Sequence, residues 1–278
     1  DLLMFPNRNS PDWDRIDREL AEANRLDPDS AECQATLGNL ANVRWRFVEA
    51  ETHFRRALEL NPNYATGHQW YARFLALQGR MDEALQQIDA AMLADPFAPR
   101  IISNGAMLYV MAGRAQRGLE LADRALALQK DSGQPWVWKI EALLALGRNE
   151  AATATVKEFM AAAPASARGS QSSYVAQASF HDGTPRPSQF QRRGAREFRY
   201  DEVRDALLSG RPQDALALVD ADHMSYAEWE WMHYLPLFDA IRNEPRYQQM
   251  LARLGLTEAH ARAQAWRAAN PPTKEVAK

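Results

Sequence analysis

Six histidines, His53, His68, His181, His223, His233 and His260, are the side chains of this 278-residue chain best suited to proton transfer or metal ligation. They include no His-Glu-x-x-His pair and no close His-x-His. His223 and His233 flank Glu228 and Glu230, the one grouping in which a zinc site is conceivable. A separation of 233 − 223 = 10 residues does not put two side chains on one face of a straight helix, so polar surface is the better reading. Glu228 and Glu230 form no general-acid and general-base pair either, because residues two apart on a helix do not face each other. Cys33 is the only cysteine, which excludes an intrachain disulfide and a cysteine-built zinc or iron–sulfur centre; its expected role is a small buried thiol. The chain has no Gly-x-x-x-x-Gly-Lys loop and no Gly-x-Ser-x-Gly elbow. No catalytic residue, metal or cofactor is therefore expected.

Charge narrows the partner class. The formal net charge is −3 with a pI near 6.1, which argues against wholesale binding to nucleic acid or an anionic membrane. One basic run, "QRRGAREFR", gathers Arg192, Arg193, Arg196 and Arg199 beside Phe198, a composition that could meet a phosphate backbone. Asp201, Glu202 and Asp205 follow at once, so a solvated helix start laced with local ion pairs is the favoured reading. No window approaches the roughly 18 apolar residues of a membrane span. The start, "DLLMFPNRNSPDW", lacks the build of a secretion signal, and with no initiator Met the sequence reads as a piece of a longer chain.

The elements that would position any binding residue repeat at a fixed interval. Pro28, Pro62 and Pro96 are 34 residues apart, and Pro164 lies two intervals further on, with Lys130 in the slot between. The complete units are then 31–64, 65–98, 99–132 and 133–166. Small residues recur at Ala50, Ala84, Gly118 and Ala152, and again at Ala57, Ala91 and Ala125, with Phe159 in the last unit. Small side chains let two helices approach closely. Gly-Arg recurs at Gly79-Arg80, Gly113-Arg114 and Gly147-Arg148, where glycine can take the left-handed conformation that ends a helix. Proline stops the second helix, since it lacks an amide hydrogen and restricts the residue before it. Asp29, Ser30 and Asn63, just beyond, suit the capping of the next helix. Each unit is helix, Gly turn, helix, Pro turn.

These positions resemble the tetratricopeptide repeat. The unit 31–64 carries Leu37, Gly38, Ala50, Phe54, Ala57 and Pro62 in that family's places, while Gln34 stands where the family has Trp and Trp136 keeps it. The resemblance implies an all-α fold, a right-handed α-solenoid of helical hairpins, in which the first helix of each pair lines a concave groove. Carried over residue by residue, the groove comprises Asn39, Asn42, Gln69, Trp70, Arg73, Arg100, Asn104, Met107, Met111, Trp138 and Glu141. Aromatic, Met and Arg side chains suit a binding surface; for Trp70 and Trp138 the alternative is filling gaps between repeats. A family subset grips a terminal carboxylate with Lys, Asn and Arg; Ala35 and Trp70 occupy two of those places, so that activity is not expected.

Residues 1–30 match only the second helix of a unit, with Ile16, Leu20 and Ala23 in packing positions, and read as an incomplete first hairpin. After residue 166 the register decays into a Ser-, Gly- and Pro-rich linker, 167–195, with a short helix near 172–179. Residues 196–270 read as degenerate helices, with Gly210-Arg211 and Ala215 resembling a repeat centre, and 271–278 as a tail. Trp229, Met232, Leu235 and Phe238 can form one apolar face and Tyr247, Leu251 and Leu254 another, which suits a cap over the last repeat of the stack. "NPNYATGHQWYARFLALQGRMDEAL" and "LPLFDAIRNEPRYQQMLARLGL" resemble tetratricopeptide regions of bacterial winged-helix regulators of the CadC and ToxR kind and of some adenylate cyclases. That resemblance implies a non-catalytic module that binds a protein or peptide segment, with no direct nucleic-acid contact or membrane insertion by this region; a homo-oligomer is compatible with it. It would lie in the periplasm for the membrane regulators and in the cytoplasm otherwise. The alternative is an effector-sensing or enzyme-accessory domain with a small-ligand pocket lined by Trp229, Trp231 and His233, between the repeats and the cap.

Overall fold

A computed structural model of the chain describes residues 13–162, 199–219, 224 and 226–272. The short helix, the linker and the Arg192–Phe198 run expected from sequence lie outside the described residues, as do His181 and His223.

The 34-residue interval is a row of helical hairpins. After α1 (Trp13–Leu26) come α2 (Ala31–Val43) with α3 (Phe47–Leu60), α4 (Ala65–Leu77) with α5 (Met81–Ala94), α6 (Pro99–Met111) with α7 (Ala115–Leu128), and α8 (Gly133–Ala145) with α9 (Asn149–Ala162). The first helices of neighbouring hairpins contact one another, α2 on α4, α4 on α6 and α6 on α8, and so line one face of the row. The small residues sit where helices touch: Ala50, Ala57, Ala84, Ala91, Ala122, Ala125 and Ala152 are completely buried.

Each hairpin is closed by the same two hydrogen bonds. The Gly79 amide donates to the Ala76 carbonyl and that of Arg80 to Leu75; Gly113 and Arg114, and Gly147 and Arg148, repeat the pattern. The left-handed glycine frees the chain to turn back while its neighbours satisfy the last carbonyls of the helix. In the first hairpin Trp45 occupies the glycine's place at φ 60°, with Trp45 and Arg46 donating to Asn42 and Ala41. Its indole meets the Phe47 ring edge-on at 5.9 Å, a contact that offsets the strain of a left-handed non-glycine residue.

In three of the four units the prolines' side of the row is tied by the side chain of the fourth residue. Gln34 Nε2 donates to the Pro28 carbonyl at 3.0 Å, a His68 ring nitrogen lies 2.8 Å from the Pro62 carbonyl, and Trp136 Nε1 donates to the Lys130 carbonyl at 3.1 Å. Gln34 therefore does the work of the missing Trp. Ser30 caps α2 through the Cys33 amide, but Asn63 does not cap α4. Tyr64 holds the cap position, and the Asn63 amide is taken by Asn61 Oδ1 at 3.1 Å.

The remaining helices are α10 (Arg199–Leu208), α11 (Pro212–Leu218), α12 (Tyr226–Tyr234), a 3-10 turn (Pro236–Ala240), α13 (Pro245–Leu254) and α14 (Thr257–Ala269). α10 and α11 form a further hairpin closed at Gly210-Arg211 by the same pair of bonds, with Ala215 buried. The faces expected from sequence are buried: Trp229, Met232, Leu235 and Phe238, then Tyr247, Leu251 and Leu254. Their position is different from the expected cap on the end of the stack. α12 packs on α4, near the middle of the row, with α14 behind it. The reason is composition: α12 is apolar or partnered on nearly every side, as a helix buried all round must be, and only a concave face can surround it.

Candidate functional site: a concave face holding its own segment

The groove residues were carried over as a surface for a partner; the structure places four of them, Arg73, Met107, Trp138 and Glu141, against the chain's own C-terminal helices. Arg73, on α4, donates from Nε and a terminal nitrogen to Glu230 Oε2 on α12, at 3.2 and 2.7 Å. Both side chains are buried, and the guanidinium also lies 5.2 Å from the centre of the Tyr226 ring. Burial pushes the Glu230 carboxyl above the usual carboxylate range against the pull of Arg73. Burial works against the Arg73 charge too, but Glu230 outweighs it and holds that guanidinium above its ordinary value. A desolvated pair of this kind is costly to assemble and more costly to break.

One hairpin further along, Trp231 reaches two groove residues. Its Nε1 points at the Met107 sulfur at 3.2 Å, and its ring stands edge-on to Trp138 with centroids 5.7 Å apart. On α8, Glu141 is ion-paired with the buried Arg204 of α10. At the end of α4, Tyr234 Oη donates to the Ala76 carbonyl at 3.1 Å, which also accepts from the Gly79 amide, and Arg262 Nε donates to the Gln78 carbonyl at 3.0 Å, so the C-terminal helices bond the backbone of this helix terminus. Of the other expected groove residues, Asn39, Asn42, Gln69, Asn104 and Met111 are buried, Trp70 is half-buried against the core, and Arg100 is exposed. Asn104 Oδ1 accepts from Gln134 Nε2 at 3.0 Å, bridging α6 to α8.

The hydrogen bonding of this face is incomplete. Among the described residues, Asn42 Oδ1, Ser103 Oγ, Asn104 Nδ2 and Trp138 Nε1 on the first helices are buried without a hydrogen-bond partner, as are Trp229 Nε1 and Glu230 Oε1 on α12. Among the described residues, no such orphan falls on α3, α5, α7 or α9.

The residues expected to line a pocket between repeats and cap are engaged with neighbouring rings. Trp229 packs on Tyr247 with ring centres 5.7 Å apart, Trp231 on Trp138, and His233 on His260. The two histidines approach through Nδ1 atoms 3.0 Å apart, so one ring donates and the other accepts. Burial, and then the charges of His260 and Arg242, hold His233 well below its ordinary value; burial, with Arg242 and Arg267, lowers His260 to about 4. Glu230 and His233, two of the residues weighed for zinc, are thus engaged elsewhere. Arg242 closes α12 by donating to the Met232 and Leu235 carbonyls at 2.9 and 2.6 Å. Glu230, Arg204, Tyr226, Tyr234 and His260 were not singled out as binding residues from sequence. Their partners lie more than 150 residues away for Glu230, Tyr226 and Tyr234, 63 away for Arg204 and 27 away for His260, and no local pattern announces them.

Comparison with known proteins agrees with this architecture. Residues 46–103 match the model of a family described as Tetratricopeptide repeat. U-box domain-containing protein 70 of Oryza sativa subsp. japonica is 30% identical over 135 residues, 49% of this chain and 16% of that protein. Protein O-mannosyl-transferase Tmtc1 of Drosophila melanogaster is 39% identical over 75 residues, 27% of this chain and 9% of that one. The chain thus spans under a fifth of the length of either relative. Among solved structures, PilW, described as a widely conserved type IV pilus biogenesis factor, superposes with a TM-score of 0.51 at 18% identity, covering 86% of this chain and 91% of that one. The chain is built as an all-α tetratricopeptide-repeat solenoid, the class of fold that makes protein-interaction scaffolds.

Proposed function

We propose that this chain is a non-catalytic docking module that holds a protein or peptide segment along the concave face of its hairpins, as the sensing or docking part of a bacterial regulatory protein. The observation that carries the reading is the present occupant of that face. Arg73, Met107, Trp138 and Glu141, one from each of α4, α6 and two from α8, already grip polypeptide, through Glu230, Trp231 and Arg204. Large aromatic, Met and Arg side chains supply contact area and directional charge together, which is what binding hot spots use. The likeness of "LPLFDAIRNEPRYQQMLARLGL" to regulator regions supports the bacterial regulatory setting.

The test is positional. A photo-cross-linking amino acid replaces Arg100 or Trp70 on the first helices, or Val48, which is 86% exposed on the second helix α3. Partner adducts from the Arg100 and Trp70 positions, and none from Val48, are the expected result. Adducts from Val48 alone would move the docking surface to the outer helices.

A further inference from the structure

We propose that α12 and the helices behind it are a displaceable resident of the concave face, and that its competitor is an acidic polypeptide helix carrying aromatic side chains beside its carboxylate. The inference rests on the reading of the concave face as the docking surface.

Two observations lead to it. The first is where hydrogen bonding fails. Contacts between first and second helices of the row leave no orphaned side-chain polar atom on the second helices described, whereas Asn42, Ser103, Asn104 and Trp138 on the first helices and Glu230 on α12 each keep one. Buried polar groups are normally satisfied, and an interface that serves only to stay shut gains nothing by leaving them unpaired. A face that must also accept another segment retains donors and acceptors that its resident does not use. The second is the charge at the centre of the contact: Glu230 meets Arg73 through one carboxylate oxygen, and the other has no hydrogen-bond partner among the described residues.

The resident also specifies its competitor. Tyr226, Glu230, Trp231 and Tyr234 stand at positions i, i+4, i+5 and i+8, one side of a helix. They supply a ring over the Arg73 guanidinium, a carboxylate to it, an indole to Trp138 and Met107, and a hydroxyl to the Ala76 carbonyl. A basic segment would bring like charge to a buried arginine and be rejected.

The experiment uses the full chain and a fluorescein-labelled synthetic peptide of residues 224–235, together with the same peptide bearing Glu230→Lys. In the chain, Tyr234→Phe with Arg262→Ala removes two contacts from the resident while leaving the face intact. This loosened chain is expected to bind the native peptide about tenfold more tightly than wild type, because a competent state populated more often raises apparent affinity in proportion. The Lys peptide is expected not to bind. The charge-exchanged chain Arg73→Glu/Glu230→Lys, which keeps a pair and so keeps its fold, is expected to reverse the preference; circular dichroism checks that fold. Binding of neither peptide to any of these chains, or binding indifferent to the charge at position 73, overturns the proposal. So does concentration-dependent dimerisation of the loosened chain without peptide binding, which would mean exchange of residents between copies. Cross-links from the Arg100 position would survive these failures, which separates them from failure of the docking surface itself.

Discussion

Trp231 and Trp138 meet edge to face, with ring centroids 5.7 Å apart and planes inclined by 75°, although one belongs to the C-terminal helices and the other to the fourth complete hairpin. The contact ties the C-terminal helices to the row of repeats across part of its concave face. Such aromatic pairs are worth about 0.5–1.5 kcal/mol beyond the area they bury. A double-mutant cycle of Trp138→Ala and Trp231→Ala, read by urea denaturation, is expected to give a coupling energy in that range. Strict additivity would mean that α12 does not rest on α8.

The Arg73–Glu230 pair makes a sharper prediction, because its two halves fail differently. Glu230→Ala leaves a buried guanidinium without its counter-charge and is expected to cost about 3–5 kcal/mol. Replacing both residues with leucine removes the desolvation cost together with the attraction, and the double variant is expected to lie within about 1 kcal/mol of wild type or above it. Equal losses for single and double variants, measured as shifts in denaturation midpoint at constant slope, would show that the pair stabilises the fold outright.

His233 and His260 give the fold an acid limit. Both are held below the ordinary histidine value, so the unfolded chain takes up protons first as pH falls. Their contribution is complete above about pH 6.5, the unfolded value, and is lost progressively toward the His260 value of about 4. Arg242 and Arg267 face the pair and add to the penalty on a second positive charge. Thermal midpoints of wild type should fall between pH 6.5 and 4, and His260→Leu should flatten that slope. An unchanged slope in the variant would assign the acid sensitivity to other groups.

How much of this was legible in sequence depended on distance along the chain. The 34-residue interval is enforced by turns whose chemistry is local, glycine at φ near 70° and proline after a helix, so Gly79, Gly113, Gly147 and the alanines between them could be read directly. Trp45 hid the first of those turns, because an unfavoured left-handed residue leaves no compositional mark. The positions assigned to the concave face came from the resemblance to the repeat family, carried over residue by residue, and not from periodicity. What covers them was not legible. Glu230 lies 157 residues from Arg73, and its two-residue spacing from Glu228 showed only that those two carboxylates do not pair with each other. The orphaned polar atoms of Asn104 and Trp138 are likewise a property of two surfaces meeting, which neither segment reports alone.

The turns themselves allow the docking of the C-terminal helices to be weighed against hairpin closure. Gly79 and Gly147 have nearly the same conformation, φ 77° and 70°, and close their hairpins with the same two hydrogen bonds. A Cβ at Gly147 would meet nothing within 4 Å among the described residues, so Gly147→Ala carries only the left-handed penalty of about 1–2 kcal/mol. A Cβ at Gly79 would collide with the carbonyl oxygen of Ala259 and press on the amide nitrogen of Ala263, both on the backbone of α14. Backbone cannot swing aside as a side chain can, so Gly79→Ala must push α14 away from the end of α4 and strain the Arg262 contact with the Gln78 carbonyl. Gly79→Ala is therefore expected to lower stability by more than Gly147→Ala, and to raise amide hydrogen exchange in α12 and α14 while leaving that of α6 and α7 unchanged. Equal destabilisation by the two variants, with exchange raised only at their own turns, would mean that α14 is not seated on the α4 terminus in solution.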